Sequence, residues 1–276
     1  MTEWSASTPF DTFENPTTGS LIDIVSVVHV GLPSYYRAIG KHITSRQEEG
    51  FQVQHEGIGE SEDFVPSGAL AGVKNKLFQL STDACIDTFV AVELGSAYEN
   101  QDNSKLYGEE DDGRLDITEA DYITGMSVLA LAGRLFGSRW MNRKVQKAAE
   151  HTEPEKLDEL VFGIIHKNVE AFEGGGKRNR SFGHKLVIDR RNELALAGVD
   201  ATLEKDAATK LVLVWGIGHL AGLGSGLIDR GYAHVAHEEV QVAFSRKILG
   251  KELEAQEKAI TKLQAKITKS KKAIRT

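Results

Sequence analysis

The chain holds a single cysteine, Cys85, in 276 residues. An intramolecular disulfide is therefore excluded, and so is a zinc site built from several thiolates. No apolar run reaches about 18 residues, so no membrane-spanning helix is expected. Positive charge is in short supply: 33 Lys and Arg face 40 Asp and Glu, a net charge of −7. That balance argues against the main domain being a general nucleic-acid binder. The opening "MTEWSASTPFDTFENP" has neither a basic start nor an apolar centre, so it is no secretory signal as written. A cytoplasmic location is the expectation.

Two nucleotide and cation motifs are missing as well. "EGGGKRNRSFG" (173–183) is a flexible basic loop, not a Walker motif, lacking both the first glycine and a Ser or Thr after the lysine. "ENQDNSKLYGEEDDGRLD" (99–116) is strongly acidic without the spacing of an EF-hand, and it reads as a solvated surface loop.

What is present reads as α/β. "LIDIVSVVHV" (21–30) is short and β-branched, as a buried strand is. "PSYYRAIGKHITSRQEE" then places Tyr36, Ile39 and Ile43 at helical spacing behind Pro33. "GFQVQHEG" follows as a second strand, and a crossover helix between two strands normally means parallel pairing. Residues 60–85 and 114–137 read as largely helical, with a strand at "DTFVAVEL" (87–94) between them. Further helix is expected over 139–172, interrupted at Pro154, and over 184–198, before the strand "KLVLVW" (210–215).

The expected architecture is a mixed central sheet flanked by helices and built from two similar β-α-β halves. Residues 1–20 are expected to form an irregular arm, 21–245 the α/β domain, and 246–276 a long basic amphipathic helix. In that last segment Leu249, Leu253, Ile260, Leu263, Ile267 and Ile274 form a narrow apolar stripe, interrupted at Gln256 and Ser270. It suits packing on the body or on a second copy, giving a homo-oligomer. Seven basic residues and no acidic one from Lys258 onward also suit an anionic membrane or nucleic acid.

The two halves echo one another. "IVSVVHVG" leads through a helix to "VQHEG", and "LVWGIGHLAG" leads through a helix to "VAHEE". This singles out His29 and His219 after strands, with Glu56 and Glu238 on the returning strands. Histidines at carboxyl ends of neighbouring strands can share a site, because ligands of α/β proteins bind there. Taken alone, each is more commonly a hydrogen-bonded structural residue. Arg190 and Arg191 stand on an otherwise apolar helix, where an arginine makes an ion pair or holds an oxyanion. A rival reading is dinucleotide binding: "GIGHLA" fits the G-x-G-x-x-A form, with Glu238 twenty residues beyond Gly218. Against it, only 38 residues follow Glu238, and His219 crowds the glycine that the pyrophosphate would approach.

Four ordered stretches carry a family resemblance: "VVHVGLPSYYRAIGKHI", "VQHEGIG", "DRRNELA" and "VWGIGHLAGLGSGLIDRGY". Over residues 22–240 the chain resembles the TraB/PrgY proteins, related to the Tiki proteases and, more remotely, to erythromycin-esterase and ChaN-like proteins. It departs from their pattern at Ser26, where Ser26-Val-Val-His29 replaces Gly-x-x-His, and at Asp189, one residue farther from the asparagine than the usual acid. The resemblance implies two similar halves around one cleft and a metal-dependent hydrolase acting on a peptide or ester bond. It carries His29, Glu56, Arg191 and His219 over as site residues, with Glu93 as a further acid. His29, Glu56, Glu93 and His219 would hold a divalent metal (Mn, Co or Zn) that lowers the pKa of bound water. A metal-free version uses Glu56 as base and either histidine as acid. The alternative from another class is a non-catalytic regulatory or binding protein that keeps the fold.

Overall fold

The computed structural model describes residues 5–57, 70–107, 116–150, 154–173 and 185–244. Its five-stranded mixed sheet is made of β1 (Ser5–Glu14), β2 (Leu21–Val27), β4 (Phe51–His55), β6 (Lys210–Gly216) and β7 (Ala233–Phe244). The spatial order is β4-β6-β2-β1-β7. Strands β4, β6 and β2 pair in parallel, whereas β1 runs antiparallel to both β2 and β7. Val30–Gly31 (β3) and Glu99–Asn100 (β5) form a separate two-stranded piece.

Both expected β-α-β halves are present, and they cross. From β2 the chain passes through α1 (Pro33–Glu48) to β4, and from β6 through α8 (Leu220–Asp229) to β7. The two connections leave neighbouring strands in opposite directions, so right-handed crossovers put their helices on opposite faces. The burial agrees. Val25, Val27, Val212 and Val214 pack with Tyr35, Ile39 and Ile43 of α1 and with Leu157, Val161 and Ile165 of α6 (Pro154–Glu173). Ile22, Ile24, Leu213 and Trp215 pack instead with α8 and with Ala195, Leu196 and Val199 of α7 (Arg191–Lys205). A smaller cluster joins α2 (Ala71–Gly95), α4 (Glu119–Gly125) and α5 (Val128–Glu150) around Phe78, Tyr122, Ile123 and Leu131. No helix among the described residues is long and apolar enough to cross a membrane.

Two expectations are corrected. Residues 5–14 of the supposed irregular arm are β1, an internal strand of the sheet. Its polar sequence hides this, and so does Pro9, which lacks a donor; but β2 pairs only with Phe10–Glu14, so no N–H is needed on that side at Pro9. The segment 87–94 is the last part of α2, not a strand, because α2 packs along α5 and that contact outweighs its β-branched content. The helix expected over 184–198 is present, its first six described residues, Lys185–Arg190, forming a π-helical turn that runs into α7. The expected basic C-terminal helix (246–276), most of the expected loop 173–183 and residues 108–115 of the expected acidic loop lie outside the described residues.

Candidate functional site

Parallel strands β2, β4 and β6 end on the same edge of the sheet, and each delivers one polar residue there. Val27 pairs with Gly216, and His55 with Val214, so the strands stop nearly level. His29 follows β2, Glu56 follows β4 with its N–H on Val214 O at 3.1 Å, and His219 closes a 3₁₀ turn after β6. Arg191 opens α7 immediately after the π-helical turn; π-type turns recur at functional sites. A cavity of about 400 Å³ is lined by all four of these residues, with apolar walls that include Val28, Phe89, Ile165, Ile188 and Ile217.

The tyrosine pair sets the loop that carries His29. Tyr35 Oη accepts from Val28 N at 3.3 Å, and Tyr36 Oη donates to Val28 O at 2.8 Å. Gln101 N donates to His29 O at 2.9 Å. The backbone is thus held on both sides of the imidazole, whose side chain is exposed to the cavity mouth.

His219 is fixed differently. Asn192 Oδ1, one residue after Arg191, accepts from His219 Nδ1 at 2.7 Å. The proton therefore sits on Nδ1, and Nε2 keeps its lone pair. That nitrogen faces Glu56 Oε2 at 3.7 Å. Oε2 is buried and has no hydrogen-bond partner among the described residues. Arg191 Nη2 lies 3.6 Å from the same oxygen, too far for a direct hydrogen bond. Two glycines make this packing feasible. A Cβ at Gly216 would press to 3.1 Å from Glu56 Oε1, and one at Gly222 would collide with the Asn192 amide.

Arg191 is held by Asp116, which the sequence reading did not single out. Arg191 Nε donates to Asp116 Oδ1 at 2.7 Å and Nη2 donates to Oδ2, a fork that suits guanidinium geometry. Backbone N–H groups of Gly57 (3.0 Å) and Ile117 (2.7 Å) donate to the same carboxylate. Since Gly57 follows Glu56, Asp116 positions both the arginine and the glutamate. The Thr118–Asp121 capping box starts α4 two residues later and fixes the approach of this segment.

Glu93 is not part of the group. It lies exposed on α2, accepting from Asn100 Nδ2 at 2.9 Å, because the strand that would have ended at it is helix. Glu238 sits on β7, three places from β6 in the sheet, so the ribose acid of the dinucleotide reading is not beside "GIGHLA". Glu56, Arg191 and His219 are in mutual proximity, and His29 lines the same cavity. Their ligand atoms do not, however, form a three-residue cluster within 4.8 Å; among the described residues only Asp11, His234 and His237 do.

Burial holds the His219 imidazole at a pKa of about 4; the Glu56 charge opposes this, and Arg191 reinforces it. The unfolded chain would bind that proton near pH 6.5. Between these values the unfolded state carries more protons, so stability rises with pH and the contribution is complete above about 6.5. Lowering the pH from 7.5 to 4.5 should therefore cost wild type roughly 2–3 kcal/mol more than His219→Gln, measured by urea unfolding at both pH values. Equal losses in the two proteins would refute a buried neutral imidazole.

The fold and cleft define a mixed α/β protein with a strand-end Glu–Arg–His group in an apolar cavity. Comparison of the chain with protein-family models, curated proteins and solved structures finds no match.

Proposed function

We propose that the chain is a hydrolase of the TraB/Tiki-like kind, cleaving a peptide or ester bond in the cavity. The observation that carries this reading is the pair of buried acceptors, His219 Nε2 and Glu56 Oε2, facing each other at 3.7 Å. Two lone-pair atoms in such a position call for a shared proton donor or a cation between them. A water molecule held there can lose a proton to Glu56, and general-base assistance of this kind contributes roughly 10²–10⁴-fold. Arg191, kept cationic and fixed by Asp116, is placed to hold an oxyanion or a substrate carboxylate. The Val, Ile and Phe walls favour an apolar group beside the scissile bond.

Two of the expected ligands, His219 and Glu56, also suit a divalent metal, although no third ligand atom closes a cluster with them among the described residues. His219 Nε2 is unprotonated, Asn192 fixes the ring through the other nitrogen as partners of metal-bound histidines do, and Glu56 Oε2 has no competing hydrogen bond. Atoms 3.7 Å apart lie within the reach of two bonds of about 2.1 Å. When bound, such an ion supplies a hydroxide at neutral pH. His219 and Glu56 would be its protein ligands, with His29 at the cavity mouth.

The deciding experiment assays wild type and His219→Ala on peptide and ester libraries with Mn²⁺, Co²⁺, Zn²⁺ or chelator, alongside metal analysis. Turnover by wild type that His219→Ala loses supports the proposal. Absence of wild-type turnover under every condition would overturn it and leave the binding-protein reading. Activity that survives chelation selects the metal-free mechanism.

A further inference from the structure

A second polar cluster lies on the sheet away from the cleft, where β1 meets the edge strand β7. Asp11 on β1 pairs directly with His237 on β7. His234 is three residues earlier, an odd separation that in a regular strand would point it to the opposite face. It does not, because the register shifts by one residue between Thr12 and Phe13: Thr12 pairs with Ala236, but Phe13 with His234. The extra residue, Val235, is a β-bulge, and bulges re-aim side chains. Both imidazoles consequently converge on one oxygen, with His234 Nε2 at 2.8 Å and His237 Nδ1 at 2.7 Å from Asp11 Oδ1.

We propose that Asp11, His234 and His237 form a divalent transition-metal site that staples β1 to β7. Two imidazole nitrogens and one carboxylate are the ligand chemistry of Zn²⁺ and its borderline neighbours such as Ni²⁺. All three ligand atoms lie within 4.8 Å of one another, and tetrahedral ligands at about 2.1 Å from an ion stand roughly 3.4 Å apart. Lengthening the two His–Asp distances of 2.8 and 2.7 Å by about 0.6–0.7 Å brings them to that spacing. Asp11 is largely buried and anchors the site, while the two histidines are about half exposed and leave a coordination position open to solvent. The far nitrogen of His237 faces Glu239 Oε1 at 3.5 Å, the carboxylate–histidine arrangement that orients metal ligands. Glu239 is itself held by Ser7 on β1. Binding displaces the protons that now join the imidazoles to Asp11, so it competes with two ordinary hydrogen bonds.

The site shares no residue with the cleft, and the two can be tested separately. Zn²⁺ is titrated, in competition with a chromogenic chelator, into chelator-stripped wild type, His234→Asn, His237→Gln and a Glu56→Gln/His219→Gln double variant. The expected result is at least a tenfold loss of affinity for one equivalent in each edge variant, retained in the double variant. Zn²⁺ at a hundredfold excess over Kd should raise the wild-type Tm by about 5 °C and leave that of His237→Gln unmoved. Because His234 and His237 are half exposed, circular dichroism should show both variants folded; if one is not, the other decides. Zn²⁺ binding by a folded edge variant at wild-type affinity would overturn the proposal.

Discussion

Asp116→Ala is expected to cost about 3–5 kcal/mol of folding stability, seen as a lower urea midpoint at unchanged m-value. The Asp116 side chain is fully buried, and the Arg191 side chain it holds is only 11% exposed. Removing the carboxylate strands a guanidinium away from water and leaves the N–H groups of Gly57 and Ile117 without their acceptor. Glu56, 3.6 Å from Arg191, is the nearest replacement partner, and capturing the arginine would pull it out of the geometry facing His219. Stability and site would fail together. A second substitution separates charge from packing. Arg191→Met added to Asp116→Ala should recover part of the loss, because replacing both members of a buried ion pair is far less costly than removing one. A loss below about 1 kcal/mol for Asp116→Ala, or no recovery in the double variant, would contradict this account.

Asp116 also shows where sequence reading stops. His29 and His219 are legible because they follow runs of Val, Ile and Leu, and Glu56 because it ends the second strand of a β-α-β unit; the carboxyl ends of parallel strands converge by the geometry of the sheet alone. Arg191 is legible as a charge on an apolar helix. Asp116 sits at the end of a stretch crowded with carboxylates, and its partner lies 75 residues away in sequence. Nothing local distinguishes it from the acids before it in sequence; only tertiary packing selects it. Asn192 was visible within "DRRNELA", but its role depends on Gly222 letting α8 approach α7, again a long-range fact. The same holds for the sheet. Strands β2 and β6 have the apolar runs of buried parallel strands and β4 is placed by the crossover helix before it, whereas β1 is polar and proline-containing and is identified only by its partners on either side. At 87–94 local β-propensity pointed one way and helix–helix packing decided the other, as it commonly does for short apolar runs. Glu93 was lost as a candidate for that reason, since its supposed position depended on the strand.

If the chain is the proposed hydrolase, Glu56→Gln is expected to lower turnover by roughly 10²–10⁴-fold while leaving stability unchanged or slightly raised. The two halves of this prediction come from one feature. Glu56 is nine-tenths buried, and its Oε2 has no hydrogen-bond partner among the described residues, so the carboxylate bears a desolvation cost that no direct bond offsets. Its nearest cation, Arg191, is already satisfied by Asp116. Glutamine keeps the volume, removes the charge and can donate from its amide to His219 Nε2, the lone pair now lacking a donor. A residue kept for structure should destabilise the protein when replaced; one kept for chemistry can cost stability while it is present. Urea unfolding and kcat measured on the same preparations distinguish these cases. A Glu56→Gln protein destabilised by more than about 2 kcal/mol would identify Glu56 as a structural partner of Arg191. Retained turnover at normal stability would instead remove Glu56 from the reaction and leave His219 with His29 as the groups to examine.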